Sequence, residues 1–294
     1  MSRYRFIHAE RANYPITLLC RVLDVARSAY YAWARRGVSA RARADEAMAA
    51  HIAAAYARGR RTYGAPRVHA ALRAHGVRCA RKRVARPMRA AGLVGCHRRR
   101  RTRTTVAEPT HSPAPNLVAR DFAAVGPNRL WLGDSTYLPT REGWRSLAVL
   151  LDAHSRRIVG WALADHLRME LALDALTMAL RGRRPAPGLV HHTDRGSRYT
   201  AAAYQQALAA RGVVCSMSRA GACLDNAMAE SFFATRKAAI ADARTWPTRA
   251  AARTAIFEWI EVWHNRQRRH AALAYRAPVA HEEQHWLLMQ EHAA

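Results

Sequence analysis

Apolar positions along this chain keep one period up to residue 128 and another beyond it. In Tyr14–Arg36, Ile16, Leu19, Cys20 and Leu23 fall at i, i+3, i+4 and i+7, the burial stripe of a helix. A break at Asp24-Val25-Ala26, with Ser28 as a possible cap, predicts a second helix carrying Tyr30, Tyr31 and Trp33. The pair has the outline of a helix-turn-helix over residues 14–36; any helical hairpin shares that outline, and the aromatics read as core. Ala44–Ala57 predicts an alanine-rich helix with Met48, Ile52 and Tyr56 on one side. Within residues 58–95, Pro66 suits a first turn, Val68 and Leu72 are spaced for burial, and Gly76 is placed to end the helix. Arg81, Lys82 and Arg83 then open another helix, where a recognition helix would meet a groove, and Pro87 should kink or shorten it. Two helix-turn-helix candidates thus stand in tandem within an all-α region, residues 1–102.

Residues 103–127 read as an extended basic and proline-rich linker, preceded by the arginine run Arg98, Arg99, Arg100 and Arg101. After Asn128 the period shortens. Leu130–Leu138, Ser146–Ala153 and Arg157–Leu163 predict an antiparallel meander with turns at REGW and HSR. Met169–Arg181 predicts a helix, LVHHTD a buried strand, Ala201–Ala210 a helix and VVCSM another strand. Residues 128–240 therefore read as a mixed α/β layer. Trp131, Trp144 and Trp161 are expected in its core, and Asp152 in a structural turn. Residues 241–294 form a helical extension in which Ile256, Trp259, Ile260 and Trp263 repeat the burial spacing. Its cluster HNRQRRH adds Arg268 and Arg269.

Charge changes the picture most. The net charge is +27, and residues 1–120 hold 26 Lys and Arg against 5 Asp and Glu, while the remainder holds 22 against 16. Arginine-rich codon usage would favour Arg over Lys but would not explain the deficit of acids. A field this positive faces a polyanion, and counterion release from neutralised phosphates drives such binding. No apolar run reaches 18 residues and the first eleven lack a signal core, so neither a membrane span nor export is expected, and a cytoplasmic protein is. The five cysteines form no C-x-x-C pair, which argues for reduced thiols and against a zinc site.

Candidate chemistry gathers around Leu224–Lys237, LDNAMAESFFATRK. Asp225 and Asn226 suit a helix N-terminus, and Phe232, Phe233 and Ile240 a buried face. Asn226, Glu230 and Lys237 then share the other face, although exposed Glu and Lys on a helix are usually only solvated. Asp134 lies on the first strand and Asp194 just after LVHH, so neighbouring strands bring these acids together and Glu230 can join from the helix. Like charges ~4 Å apart repel by roughly 4 kcal/mol at an effective dielectric of 20. Such a set therefore holds a shared proton or divalent ions such as Mg²⁺ or Mn²⁺. The basic N-terminal half favours phosphoryl transfer over the paired acids of a glycosidase. His191 and His192, beside Asp194, read as strand packing before they read as ligands.

In order along the chain, WLGDSTYLPTREGWRSLAVLLDAHSRRIVGW, HTDRGSRYT, SRAGACLDNAMAESFFATRK and HNRQRRHAALAYRAP resemble the signature segments of DDE transposases. The chain is most similar there to the second-frame proteins of the IS-three family of bacterial insertion sequences, and CRVLDVARSAYYAWARR and YGAPRVHAALRAHGVRCARKRVARPMRAAGL resemble that family's helix-turn-helix segments. The resemblance implies a retroviral-integrase-type, RNase H-like α/β core preceded by an all-α helix-turn-helix region. It implies that Asp134, Asp194 and Glu230 hold two Mg²⁺ for which Mn²⁺ can substitute, and that one strand is cut at each element end and its 3′-OH joined to another phosphodiester. Lys237, one of only two lysines, matches a position expected at terminal DNA. Gly133, Ser135, Pro87 and His264 depart from the family pattern. Implied partners are double-stranded DNA (terminal inverted repeats and target), further copies of the chain on DNA, and an upstream-frame protein joined by frameshifting. A DNA-binding protein or repressor without catalysis, and a nuclease without strand transfer, are the other readings.

Overall fold

The computed structural model describes residues 2–35, 40–96, 114–219, 225, 227–229, 231–233 and 245–293. It divides into two compact units, Met1–Ala54 and Ala55–Ala294. In the first, α1 (Arg3–Glu10), α2 (Ile16–Val22) and α3 (Arg27–Arg35) bury Ile7, Leu19, Cys20 and Tyr30, with Ile16, Leu23 and Trp33 packed around them. The α2–α3 turn passes through Asp24 in the left-handed region, φ 48°. The expected hairpin is therefore present, with a third helix added before it. Only Ile7 of α1 is buried, so its sequence carried no burial stripe to read.

α4 (Ala40–Arg58) is the long alanine-rich helix, and its last residues open the second unit. α5 (Ala65–Ala74) has Pro66 in its first turn, and Gly76 lies just beyond its end at φ 79°. α6 (Arg81–Ala90) buries Val84 and Met88. Contrary to expectation α6 runs through Pro87: a proline deletes one backbone bond, and the Ala91 amide still reaches the Pro87 carbonyl at 2.9 Å.

The described strands form one sheet in the order β3-β2-β1-β4-β5. They are β1 (Leu130–Thr140), β2 (Gly143–Asp152), β3 (Ile158–Ala164), β4 (Val190–Thr193) and β5 (Val214–Met217). The first three form the antiparallel meander, whereas β4 pairs in parallel with both β1 and β5. α7 (Met169–Arg183) covers one face over Trp131, Ala148, Leu150 and Val159. It lies so close to β3 that a Cβ on Gly160 would come within 2.2 Å of the Ala175 carbonyl oxygen. Trp131 is fully buried, but Trp144 is 61% exposed and does not join the core. It opens β2 beside the turn at Gly143, past the reach of the covering helix, and packs edge-on against exposed Tyr137.

α8 (Ser197–Thr200) and α9 (Ala202–Ala209) follow β4. α10 (Arg249–Phe257), capped by the Thr248 hydroxyl, continues as a π-helix over Glu258–His264. That wider coil turns Asn265 so that its side chain bonds both the amide and the carbonyl of Ile158, at 2.9 and 3.0 Å. α11 (Pro278–Ala293) delivers buried Glu282 to Arg157, Arg183 and the Ser155 hydroxyl. Ser155 in turn bonds Asp152, which also accepts from the Asn128 amide, so Asp152 is the turn-holding acid the sequence suggested. Within this unit the Arg269 amide donates to the Tyr63 hydroxyl, Trp263 donates to the Arg58 carbonyl, and Arg60 pairs with Glu258. No described helix is long and apolar enough to cross a membrane.

Candidate active site

The parallel pairing of β1 with β4 sets Leu132 opposite His192. Two residues further along each chain are Asp134 and Asp194. Asp134 lies within β1, on the same face as Leu132 because side chains alternate along a strand, and Asp194 is the first residue past the end of β4. Asp194 Oδ1 accepts the Gly196 amide at 3.0 Å, and Oδ2 faces the Arg198 guanidinium at 3.3 Å. Asp134 Oδ1 accepts the Ser135 amide at 2.7 Å. Burial works to lower the Arg198 pKa, but Tyr199, Asp194 and Asp134 outweigh it and raise it. One arginine is thereby coupled to both carboxylates.

His191 and His192 are fully buried and hold the strand beneath the acids. His191 Nε2 meets the Tyr204 hydroxyl at 2.8 Å, and His192 contacts the hydroxyls of Ser216 and Ser218 at 2.8 and 3.2 Å. Burial, then the neighbouring His192, pushes His191 down to about 3, so it is neutral at pH 7. Gly133 has a local reason: a Cβ there would lie 2.8 Å from the His191 ring. Both histidines serve packing, as the sequence suggested.

Asp225 takes a different place from the helix cap expected of it. It is fully buried, and its carboxylate accepts from Arg219, from Arg120 Nε at 2.9 Å and from Asn116 Nδ2 at 2.9 Å. Hydrogen bonding from Arg219, ahead of the other donors, holds its pKa far below the usual carboxylate range. Residues 227–229 and 231–233 are helical, and Phe232 and Phe233 are buried as expected. Glu230, Asn226, Lys237, Ile240 and Arg98, Arg99, Arg100 and Arg101 lie outside the described residues. Among the described residues no group of three His, Cys, Asp or Glu side chains is arranged to hold a metal ion.

Arg81 and Lys82 are exposed at the start of α6, and Arg83 is half-buried beside them. Arg268 is not on an open face: it is 4% exposed with its guanidinium over Trp263, because the π-helix turns it inward. Arg269 is half-buried and bonds the Tyr275 carbonyl. Sequence reasoning missed Arg198, although DRGSR places it one helical turn past Asp194. It also missed the Arg120–Asp225–Arg219 cluster, whose members no local spacing connects.

Residues 124–223 match a family model described as an integrase core domain, residues 211–278 match a second integrase core domain model, and residues 42–101 match an HTH-like domain. The chain is 40% identical over 268 residues to the insertion element IS600 31 kDa protein of Shigella sonnei, covering 91% of this chain and 98% of that one. It is 39% identical over 271 residues to the transposase InsF of insertion sequence IS3A from Escherichia coli K12, covering 92% and 94%. Among solved structures, the HTLV-2 integrase catalytic core in complex with magnesium aligns with a TM-score of 0.43 and 15% identity, over 54% of this chain and 99% of that one.

Proposed function

Because the chain belongs to the IS3 family of insertion-sequence transposases, we propose that it cuts one DNA strand at each end of its element and joins the freed end elsewhere. In the cut, a water oxygen bonds to phosphorus, the P–O3′ bond breaks and the departing oxygen becomes a 3′-OH. In the joining step that 3′-oxygen attacks a target phosphodiester, an oxygen of the target strand leaves, and one phosphodiester replaces another. The observation that carries this reading is that Asp134 and Asp194, just past the last paired residues of β1 and β4, both act on the charge of Arg198.

The donor set fits a hard divalent ion: the carboxylate oxygens of Asp134 and Asp194 both act on the positive charge of Arg198, and Asp194 pairs with it. Asp134 and Asp194, with Glu230, would hold two Mg²⁺, or Mn²⁺ in their place, which when bound activate the attacking oxygen and stabilise the leaving one. His191 and His192 keep β4 in place under Asp194, and the Gly196 amide orients that carboxylate. Arg81, Lys82, Arg83, Arg269, Asn226, Lys237 and Arg98 to Arg101 are assigned to DNA phosphates. Residues 1–102 serve as the DNA-binding region, 103–127 as linker, 128–240 as the catalytic core and 241–294 as its brace. The working form is a homo-oligomer on DNA, with the upstream-frame protein as a further partner.

A strand-transfer assay with an oligonucleotide copy of the element end tests this. Joined product that needs Mg²⁺ or Mn²⁺ supports it, cleavage alone indicates a nuclease, and retention without cleavage indicates a binding protein. Glu230→Gln should abolish chemistry while leaving DNA affinity within a few-fold; loss of both together counts against the assignment. Binding should weaken steeply with salt, with a logarithmic slope of about −0.9 per phosphate contacted.

A further inference from the structure

Asp225 is no candidate ligand, yet it is bonded to the frame that holds one. Its buried carboxylate accepts from Arg219 three times, through the backbone amide at 3.1 Å, Nε at 3.1 Å and Nη2 at 3.2 Å. Arg120 Nε and Asn116 Nδ2 each add a bond of 2.9 Å. Hydrogen bonds to an ionised acceptor are about twice as strong as neutral ones. Arg219 is therefore fixed by its main chain and its side chain together.

Next to Arg219 in the chain, Ser218 grips both neighbours of Asp194. Its amide donates to the Thr193 carbonyl at 2.9 Å, and its carbonyl accepts Arg195 Nε at 2.7 Å. Its hydroxyl lies 3.2 Å from His192 Nε2. Thr193, the last residue of β4, and Ser218 are both buried. Asp194 thus leaves the sheet between two residues tied to one serine. On the other side of Asp225, Asn116 Oδ1 accepts the amides of Val118 and Ala119 at 3.1 and 2.8 Å, and the Leu117 amide donates to Ser216 Oγ at 2.9 Å. Residues 116–120 are bonded into the same junction.

We propose that Asp225 is a positioning residue for Asp194: by fixing Arg219, and through it Ser218, it keeps the carboxylate beyond β4 in one setting for a divalent ion. The part played by the ion rests on the transposition reading; the hold on Asp194 does not. Partners that orient a ligand from outside raise metal affinity because the ligand's geometry is set before the ion arrives, and losing one typically costs about 10–100-fold. A buried acid that only added stability would behave differently. Its loss would loosen the fold and leave the metal affinity of folded molecules as it was.

Hydrogen exchange of the metal-free full chain, followed by titration with Mn²⁺, tests the proposal. Asp225→Asn sets an amide donor against the donors of Arg219, Arg120 and Asn116. Arg219→Gln, at a side chain 58% exposed, cuts the same link with less risk to folding. In either variant exchange should rise severalfold in peptides covering residues 190–198 and stay as it was over β2 and β3. Mn²⁺ affinity should fall about tenfold. Arg120→Gln, which cuts only the arm to residues 116–120, should leave Mn²⁺ affinity nearly unchanged; an equal loss there overturns the route through Arg219. Unaltered exchange at 190–198 in Arg219→Gln overturns the proposal, and so does an unaltered Mn²⁺ affinity at a lowered melting temperature. If the unaltered chain takes up no Mn²⁺, the transposition reading fails, and the exchange result still decides whether Asp225 holds Asp194.

Discussion

Glu282 and Asp225 are surrounded by donors, whereas Asp194 is left partly open. The side chains of Glu282 and Asp225 are 4% and 0% exposed, each held by two arginines and a further polar group; that of Asp194 is 23% exposed beside one arginine at 3.3 Å. The first kind is finished chemistry. A buried carboxylate with every lone pair engaged joins distant segments and has nothing left for a ligand. The second kind keeps oxygens available just past the end of a parallel strand pair. Counting acids would not separate the two, because the buried ones have the stronger partners.

The sharpest way to break this contrast is to neutralise each kind in turn. Asp134→Asn or Asp194→Asn should reduce strand transfer about a thousandfold or more, the scale of several kcal/mol of lost charge stabilisation, with little change in melting temperature. Glu282→Ala should do the reverse: leaving Arg157 and Arg183 without their acid should destabilise folding by about 3–5 kcal/mol, read by chemical denaturation, with activity per folded molecule retained. If Glu282→Ala removed activity at full stability, the division between the two kinds would be wrong.

Acid should expose a third buried set. The folded pKa of His191 and of His264 is about 3, below the ordinary 6.5. The unfolded chain thus binds more protons as pH falls through this window. Stability should drop from pH 6.5 toward 3 by about 1.4 kcal/mol per pH unit for each histidine, and His191→Asn should flatten the slope measured by denaturant midpoints. Gly160→Ala, pressing a methyl toward the Ala175 carbonyl, should cost about 1–3 kcal/mol in the same measurement. Smallest of all, Arg198→Gln should lower the Mg²⁺ concentration needed for half-maximal activity by roughly threefold, because the partly exposed ion pair that competes with the metal is lost.

Strands were the most legible part of the chain, because the shift from helical to strand-like spacing after Asn128 is a local signal. The sequence's strand order placed Asp134 and Asp194 at neighbouring strands, and the structure pairs β1, which holds Asp134, with β4, which ends just before Asp194. What the sequence hid was non-local or balanced. Arg120, Arg219 and Asp225 meet although about a hundred residues separate the first from the others. Trp144 looked like core because apolar character says nothing about where a covering helix stops. Pro87 looked like a helix end because the burial of Val84 and Met88 on the same helix was not weighed against one lost bond. α1 was missed for the opposite reason, having too few buried positions to form a pattern.

The π-helix at Glu258–His264 has a consequence of its own. It acts as a phase shifter: each residue of an ordinary α-helix advances side chains by about 100°, and the wider coil delays that rotation by part of a turn. Deleting a single residue between 258 and 264 would let the coil relax to α-helical winding while swinging everything after it around the axis. Asn265 would leave the Ile158 backbone, and the edge strand would lose its clamp with every strand residue unchanged.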